Sequence, residues 1–501
     1  MRKVERMIRN IRLRHALRGL VVLLAASAST SLEAQVGPPP PLRPLSLYAE
    51  TGDDAFVSQH VGTFNGKRVK YRAEVAETRV HAANGAPVAS LFTTTYQAVA
   101  GRDSKPRPVM FVFNGGPGAA SAFVHLMALG PRRLADLSNK GLADTGARLM
   151  DNQDSLLDVA DLVFIDPPGT GFSKALSDAS ADLNSIDGDS ELVAVLIRHW
   201  LDRNRRTGSP IYIWGESYGS LRAVALGRDL TRMQPAVRVD GIILNGQAIT
   251  HGQMGRVRNP AWIAMRLPMM ASLAHYHGKI DNKSQSWEEA VERARRFAYE
   301  EYLPALAQGY RLDPSTREKI ASALPPLIGI PETYFRENNT IVVNNFNAEL
   351  LKDRNLVLDG NDGRQTLPKS ESEPDYNQMF AGIGTAMNRY MRDELTVSGV
   401  GTYAMLIPDA DATYYAWNFQ PTGAASLDVT LADLMRSNPD LRLLVTQGRH
   451  DTLTTIGSTE YTLSQSDLPW NRVAMSLYDG GHTLLPHREV LDAMRKFLRR
   501  E

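Results

Sequence analysis

An α/β fold, a mostly parallel sheet interrupted by a mainly helical insertion, is what this chain of 501 residues predicts. Five short apolar runs carry the prediction: VMFVF (109–113), DLVFID (161–166), IYIW (211–214), VDGIILN (239–245) and LRLLVTQ (441–447). They are continuous rather than alternating, which suits strands buried on both faces of a parallel sheet. Helix-like stretches such as SELVAVLIRHWLDRNRR and YGSLRAVALGRDLTRM lie between them, and strands alternating with helices build such a sheet. The alternation stops between about 251 and 400 and sheet-like sequence resumes near 441. The intervening block therefore reads as an insertion.

Taken in order, residues 1–34 pair seven basic side chains with the apolar run LVVLLAASA (20–28) and small residues up to Ala34. These are the parts of a secretory signal peptide, and the apolar run is short for a membrane span. An uncleaved anchor or an organelle presequence is the alternative. Residues 35–50, with VGPPPPLRPL, read as an extended Pro-rich tether. The first part of the core, 51–250, opens with alternating stretches, KRVKYRAEV and ASLFTTTYQAV, separated by the turn sequences HAANGAP and GRDSKPRP. This predicts an antiparallel meander before the parallel strands. Within the 251–400 cap, Ser286 and Glu289 have capping-box spacing, and Asp313 precedes Pro314 at the start of a second helix. The polar DGNDGRQTLPKSESEP (359–374) is expected to be a loop. Residues 401–501 complete the core.

Composition narrows the chemistry. Cysteine is absent, which excludes thiol catalysis, thiolate metal sites and a lipid anchor on cysteine. Removing residues 1–34 takes away seven basic and two acidic residues, so the formal +1 becomes −4. A mildly acidic surface gives no reason to expect nucleic acid or an anionic membrane as partner.

GESYG (215–219) lies between a strand-like run and a helix-like one. G-x-S-x-G at such a turn is the nucleophile-elbow pattern, which exposes the serine at the carboxyl end of the sheet. Ser217 then needs a base, and the base an orienting acid. The expected chain order is Ser, acid, His. Asp451 follows a strand-like run, and His482 follows another behind two glycines; Asp479, His450 and His487 compete for the roles. The Gly-Gly loop favours His482 over His487 because it lets the ring reach inward, and His450 reads as a loop-surface residue. The oxyanion hole needs two N–H groups aimed at one point. Tyr218, directly after the nucleophile, supplies one. FNGGPG (113–118) suits the other, with Gly115 and Gly116 permitting close backbone approach and Gly116 the expected donor.

FNGGPGAAS (113–121), FIDPPGTGFS (164–173), GESYG, Asn245-Gly246, QGRHD (447–451) and GGH (480–482) occur in an order that resembles the serine carboxypeptidase family, a branch of the α/β-hydrolases. The resemblance implies an α/β-hydrolase fold with a helical cap, a Ser217–His482–Asp451 triad, a peptide substrate with a free C-terminus, and no cofactor or metal. It also implies that Asn114, Gly115 and Glu216 bind the substrate carboxylate. Glu216 would do so protonated, since two buried anions repel. Its alternative role is to hold the elbow backbone. The family's second carboxylate-binding glutamate aligns with Ala128. The resemblance leaves open an esterase or acyltransferase on the same machinery, and a non-catalytic binding role.

Overall fold

Val109–Phe113, buried at all five positions, sits near the middle of a ten-stranded sheet in the computed structural model. The structure describes residues 47–99, 106–176, 183–250, 259–370, 376–421 and 426–501. The expected signal peptide lies outside these residues, as does nearly all of the Pro-rich tether.

The principal strands are β1 (Leu47–Phe64), β2 (Lys67–Ala82), β3 (Pro87–Ala98), β4 (Val109–Phe113), β5 (Asp161–Ile165), β6 (Ile211–Glu216), β7 (Gly241–Asn245), β8 (Arg442–Gly448) and β9 (Val473–Tyr478). Their spatial order is β1-β2-β3-β5-β4-β6-β7-β8-β9. The first three pair antiparallel, β3 joins β5 antiparallel, and every later pairing is parallel. The predicted meander and all five predicted buried strands are present.

Because successive strand side chains point to opposite faces, each strand feeds two cores. Met110, Val112, Tyr212, Trp214 and Leu444 enter one, shared with the last helix. Phe111, Ile213, Ile242, Leu244 and Val445 enter the other. Helices α1 (Ile186–Arg203) and α2 (Tyr218–Arg232) cover that second face, and α1 is capped by the Ser185 hydroxyl, which accepts from Gly188 N (3.0 Å).

Residues between 264 and 358 form a third hydrophobic cluster of their own. It contains α3 (Leu267–Tyr276) and α4 (Trp287–Phe297), and α4 begins with the predicted capping box between Ser286 and Glu289. Asp313 caps its helix as expected, accepting from Thr316 N at 2.9 Å. The helix α5 (Tyr376–Asp393) packs instead into the first cluster, through Ile383, Met387 and Tyr390. The polar 359–374 stretch is not simply a loop. Thr366–Pro368 pairs antiparallel with Leu356–Leu358, and residues 359–365 form the tight connection between them. Among the described residues, no helix is long and apolar enough to cross a membrane.

Candidate active site

Four parallel strands deliver their ends to one edge of the sheet. Asn114 follows β4, Ser217 follows β6, Asp451 follows β8 and His482 follows β9. Ser217 has φ +57° and ψ −125°, a conformation that L side chains rarely adopt. The flanking glycines make it possible. A Cβ at Gly215 would collide with the Gly219 carbonyl, and one at Gly219 would lie 3.0 Å from the Asn114 oxygen. The elbow read from G-x-S-x-G is thus a real turn, with the serine at the N-terminus of α2.

His482 Nδ1 lies 2.8 Å from Asp451 Oδ2 and 3.1 Å from the Thr454 hydroxyl. Asp451 is fully buried and otherwise satisfied: Oδ1 accepts from Leu453 N (2.8 Å) and Thr454 N (2.9 Å). Its Oδ2 also accepts from the Thr454 hydroxyl (2.7 Å) and Gln447 Nε2 (3.1 Å). These bonds fix the carboxylate, and the carboxylate holds the Nδ1–H tautomer of His482, which leaves Nε2 as the ring's acceptor nitrogen. Burial alone would depress the His482 pKa, but Asp451, through charge and hydrogen bond, and the Glu216 charge together hold it above the ordinary value. Asn245 links the Ser217 turn to the His482 loop: its backbone carbonyl accepts from Ser217 N (3.0 Å) and its Nδ2 donates to the His482 carbonyl (3.3 Å).

Glu216 is buried beside Ser217, with three donors converging on it. Oε1 accepts from Asn114 Nδ2 (3.0 Å), and Oε2 accepts from Asn245 Nδ2 (2.9 Å) and Leu484 N (2.8 Å). Both amides are oriented by further bonds. Asn114 Oδ1 accepts from Val124 N (3.0 Å), and Asn245 Oδ1 accepts from Thr446 Oγ1 (2.7 Å). Burial pushes the Glu216 pKa up, opposed by His482, Leu484 N and Asn245. The carboxyl therefore takes a proton more readily than an exposed one, while its bonds also pin the elbow to Asn114 and to the His482 loop.

Gly115 lies against the elbow. A Cβ there would be 2.7 Å from Tyr218 N and 2.9 Å from Ser217 Cβ. Gly116 has φ +107°, where glycine is favoured, and its peptide to Pro117 is cis. The sequence-predicted residues Asn114, Gly115, Gly116, Glu216, Ser217, Tyr218, Asp451 and His482 thus gather around one edge of the sheet.

One expectation changes. His450 is not a loop-surface residue: it is 3 % exposed, with Nδ1 3.1 Å from the Ser272 hydroxyl and Nε2 3.0 Å from Asp479 Oδ1. Its ring packs against Tyr276, and burial lowers its pKa to about 4. It is shielded by α3, a helix remote in sequence. Ala128 is fully buried in a π-helical turn, His125–Leu129, and its carbonyl accepts from Asn152 Nδ2 (2.6 Å). His487 begins the last helix with its ring on Tyr478.

Sequence reasoning quoted Asn245 and Gln447 within its matching stretches but gave them no role, and it passed over Thr454 and the buried pair beneath the site. Arg222 Nε donates to Asp189 Oδ2 (2.8 Å), Arg222 Nη1 donates to the Asn114 carbonyl (3.0 Å), and Tyr218 OH donates to the same Asp189 oxygen (2.8 Å). The available signal was Arg222 within the apolar run LRAVAL; Asp189 lies between Asp187 and Glu191 and does not stand out from them. Among the described residues, no cluster of three or more His, Asp or Glu side chains is arranged to hold a metal ion.

The family model for serine carboxypeptidases matches residues 83–479. The chain belongs to the serine carboxypeptidase family. The pheromone-processing carboxypeptidase kex1 of Neosartorya fischeri is 29 % identical over 248 residues, 48 % of this chain and 35 % of that protein. The serine carboxypeptidase-like 29 protein of Arabidopsis thaliana is 30 % identical over 171 residues, 33 % of each chain. The chain therefore spans about a third of the length of the curated relatives it matches. Among solved structures, the prohormone-processing carboxypeptidase Kex1(delta)p of Saccharomyces cerevisiae superposes with a TM-score of 0.52 at 13 % identity, covering 82 % of this chain and 86 % of that one. That likeness supports the α/β-hydrolase fold.

Proposed function

We propose that this protein is an exported serine carboxypeptidase that releases C-terminal amino acids from peptides through an acyl-enzyme on Ser217. Ser217 Oγ attacks the carbonyl carbon of the last peptide bond, and His482 Nε2 takes the hydroxyl proton. Asp451 orients the ring and stabilises the imidazolium. The N–H groups of Gly116 and Tyr218 receive the developing oxyanion. His482 then gives its proton to the departing amine as the C–N bond breaks, and water attacks the ester to free Ser217. No cofactor enters the scheme. The separate helical cluster between 264 and 358 would serve as the cap that shapes the side-chain pockets, and the basic-then-apolar N-terminus supports export.

The buried carboxyl of Glu216, next to Ser217 and bonded to Asn114, carries the specificity for a free C-terminus. A protonated acid donates to a carboxylate, and burial already favours that form here. Hydrolysis of a blocked dipeptide should greatly exceed that of its C-terminal amide. An organophosphonate should label Ser217 in the intact protein and not in Ser217→Ala. Ala128, where a second acid is expected, favours the esterase or acyltransferase reading as runner-up. A strong preference for simple esters, indifferent to a free carboxylate, would select it.

A further inference from the structure

The connection 359–365 lies far from Ser217 in sequence and belongs to the inserted block, yet it touches both loops that carry the triad's acid and base. His482 N donates to the Asn361 carbonyl (2.8 Å), and Asp362 forms an isolated antiparallel bridge with Asp451. Gly363 N donates to the His450 carbonyl (3.1 Å), and the Thr452 hydroxyl donates to the Gly360 carbonyl. The approach is close enough to exclude a side chain on the histidine loop, since a Cβ at Gly481 would lie 2.6 Å from the Asn361 oxygen.

The connection is itself held in shape. Asp359 Oδ1 accepts from Asn361 N (2.7 Å) and Asp362 N (2.9 Å), closing the turn. Arg364 locks the other end. Its Nη2 is 2.6 Å from Asp362 Oδ2, and its Nη1 donates to the Asp479 carbonyl (2.8 Å). One guanidinium thus joins the connection to the strand end from which the His482 loop departs. Because backbone groups on both triad loops are satisfied by this one segment, releasing it leaves them without those partners.

We infer that residues 359–365 are a strap that sets the distance between the Asp451 and His482 loops, with Arg364 as a positioning residue for the triad. This rests on the serine-hydrolase reading above for its effect on rate, but the strap itself can be judged without activity. An imidazole displaced by a fraction of an ångström from its near-attack position loses rate steeply, up to about a hundredfold per ångström. The substrate would still bind, because no strap residue belongs to the proposed carboxylate site.

The test compares Arg364→Met and Arg364→Lys with a control, Arg295→Met, which removes a different ion pair of the inserted block, that with Glu460. Arg364→Met should slow phosphonate labelling of Ser217 by about tenfold or more with KM for the blocked dipeptide unchanged. Arg364→Lys should recover part of the rate, and Arg295→Met should label like the unmodified protein. Labelling of Arg364→Met at the unmodified rate, or equal slowing in Arg295→Met, overturns the inference. Hydrogen exchange gives the activity-free readout: peptides spanning 449–455 and 479–484 should exchange faster in Arg364→Met than in Arg295→Met. Equal exchange in the two overturns the strap. Failure of the unmodified protein to label at all, with the exchange difference present, sinks the hydrolase reading and leaves the strap standing. Should Arg364→Met fail to fold, Arg364→Lys carries both comparisons.

Discussion

At the scale of single residues, the elbow leaves no space beside it. A methyl at Gly115 would sit between Tyr218 N and Ser217 Cβ, where the oxyanion is proposed to form. Gly115→Ala should therefore lower kcat by about a hundredfold or more, the loss expected when an oxyanion donor is denied, and should also lower stability, because the methyl meets the Glu216 carbonyl at 2.6 Å. Glu216→Gln tests a second residue. An ionised Glu216 raises the pKa of His482, and a protonated His482 lowers that of Glu216, so the two titrate as a coupled pair. Removing the charge should move the acidic limb of the kcat/KM profile to lower pH and erase the limb due to Glu216 ionisation. An unmoved acidic limb would show that the pair is not coupled. The variant should also be less stable, because its amide cannot accept from Asn114, Asn245 and Leu484 together. Ser217 was legible because steric need writes two glycines into the local sequence. The burial of His450 was not, because the groups that bury it, Ser272 and Tyr276, lie well over a hundred residues away.

At the scale of elements, the parallel strands were legible because burial on both faces demands uninterrupted apolar runs. The helix α2 conceals a polar device that no periodicity announces. Arg222 and Asp189 are 1 % and 2 % exposed, and the guanidinium lies over Phe113, 5.0 Å from its ring centre. Together they tie α1 and α2 to the Asn114 carbonyl and the Tyr218 hydroxyl. Arg222→Met leaves Asp189 buried and unpaired, which should cost about 3–5 kcal/mol in urea unfolding. Adding Asp189→Leu removes the orphan charge, so the double variant should be more stable than Arg222→Met alone. Its phosphonate labelling should remain slow, since the Asn114 carbonyl has lost its tether. Full recovery of labelling in the double variant would show that the pair serves stability alone. The connection 359–365 was misread for a related reason: its polar composition predicts a loop, and only the fold shows that its carbonyls and amides are spent on the triad loops.

At the scale of the whole molecule, the proposed chemistry and the core pull against each other as pH falls. Protonating Glu216 is the condition for reading a substrate carboxylate, so acid favours binding. The first hydrophobic cluster contains His125, 1 % exposed, stacked on Phe164 at 4.1 Å and 2.7 Å from the Tyr96 hydroxyl, which in turn meets Tyr390. Burial lowers its pKa from 6.5 to about 3, and among the described residues no carboxylate is placed to compensate. Between those two values the unfolded chain binds more protons than the folded one, so stability is full above about pH 6.5 and declines as pH falls. The slope from one such group approaches 1.4 kcal/mol per pH unit, about tenfold in the folding equilibrium. His450, lowered to about 4 by burial, adds to it over the upper part of the window. Glu216 and Asp166, whose pKa values burial raises, act in the opposite sense, so the urea midpoint should drop from pH 6.5 to pH 4 by less than the two histidines alone would give. In His125→Phe, which keeps the stack on Phe164 and leaves Tyr96 bonded to Tyr390, the decline should be shallower, while the pH profile of Ser217 labelling above pH 5 stays unchanged. An identical decline in the variant would mean that His125 is solvated in the folded state. If the variant tolerates acid as expected, a core histidine limits the fold in acid, separately from the protonation of His482 that limits the proposed reaction.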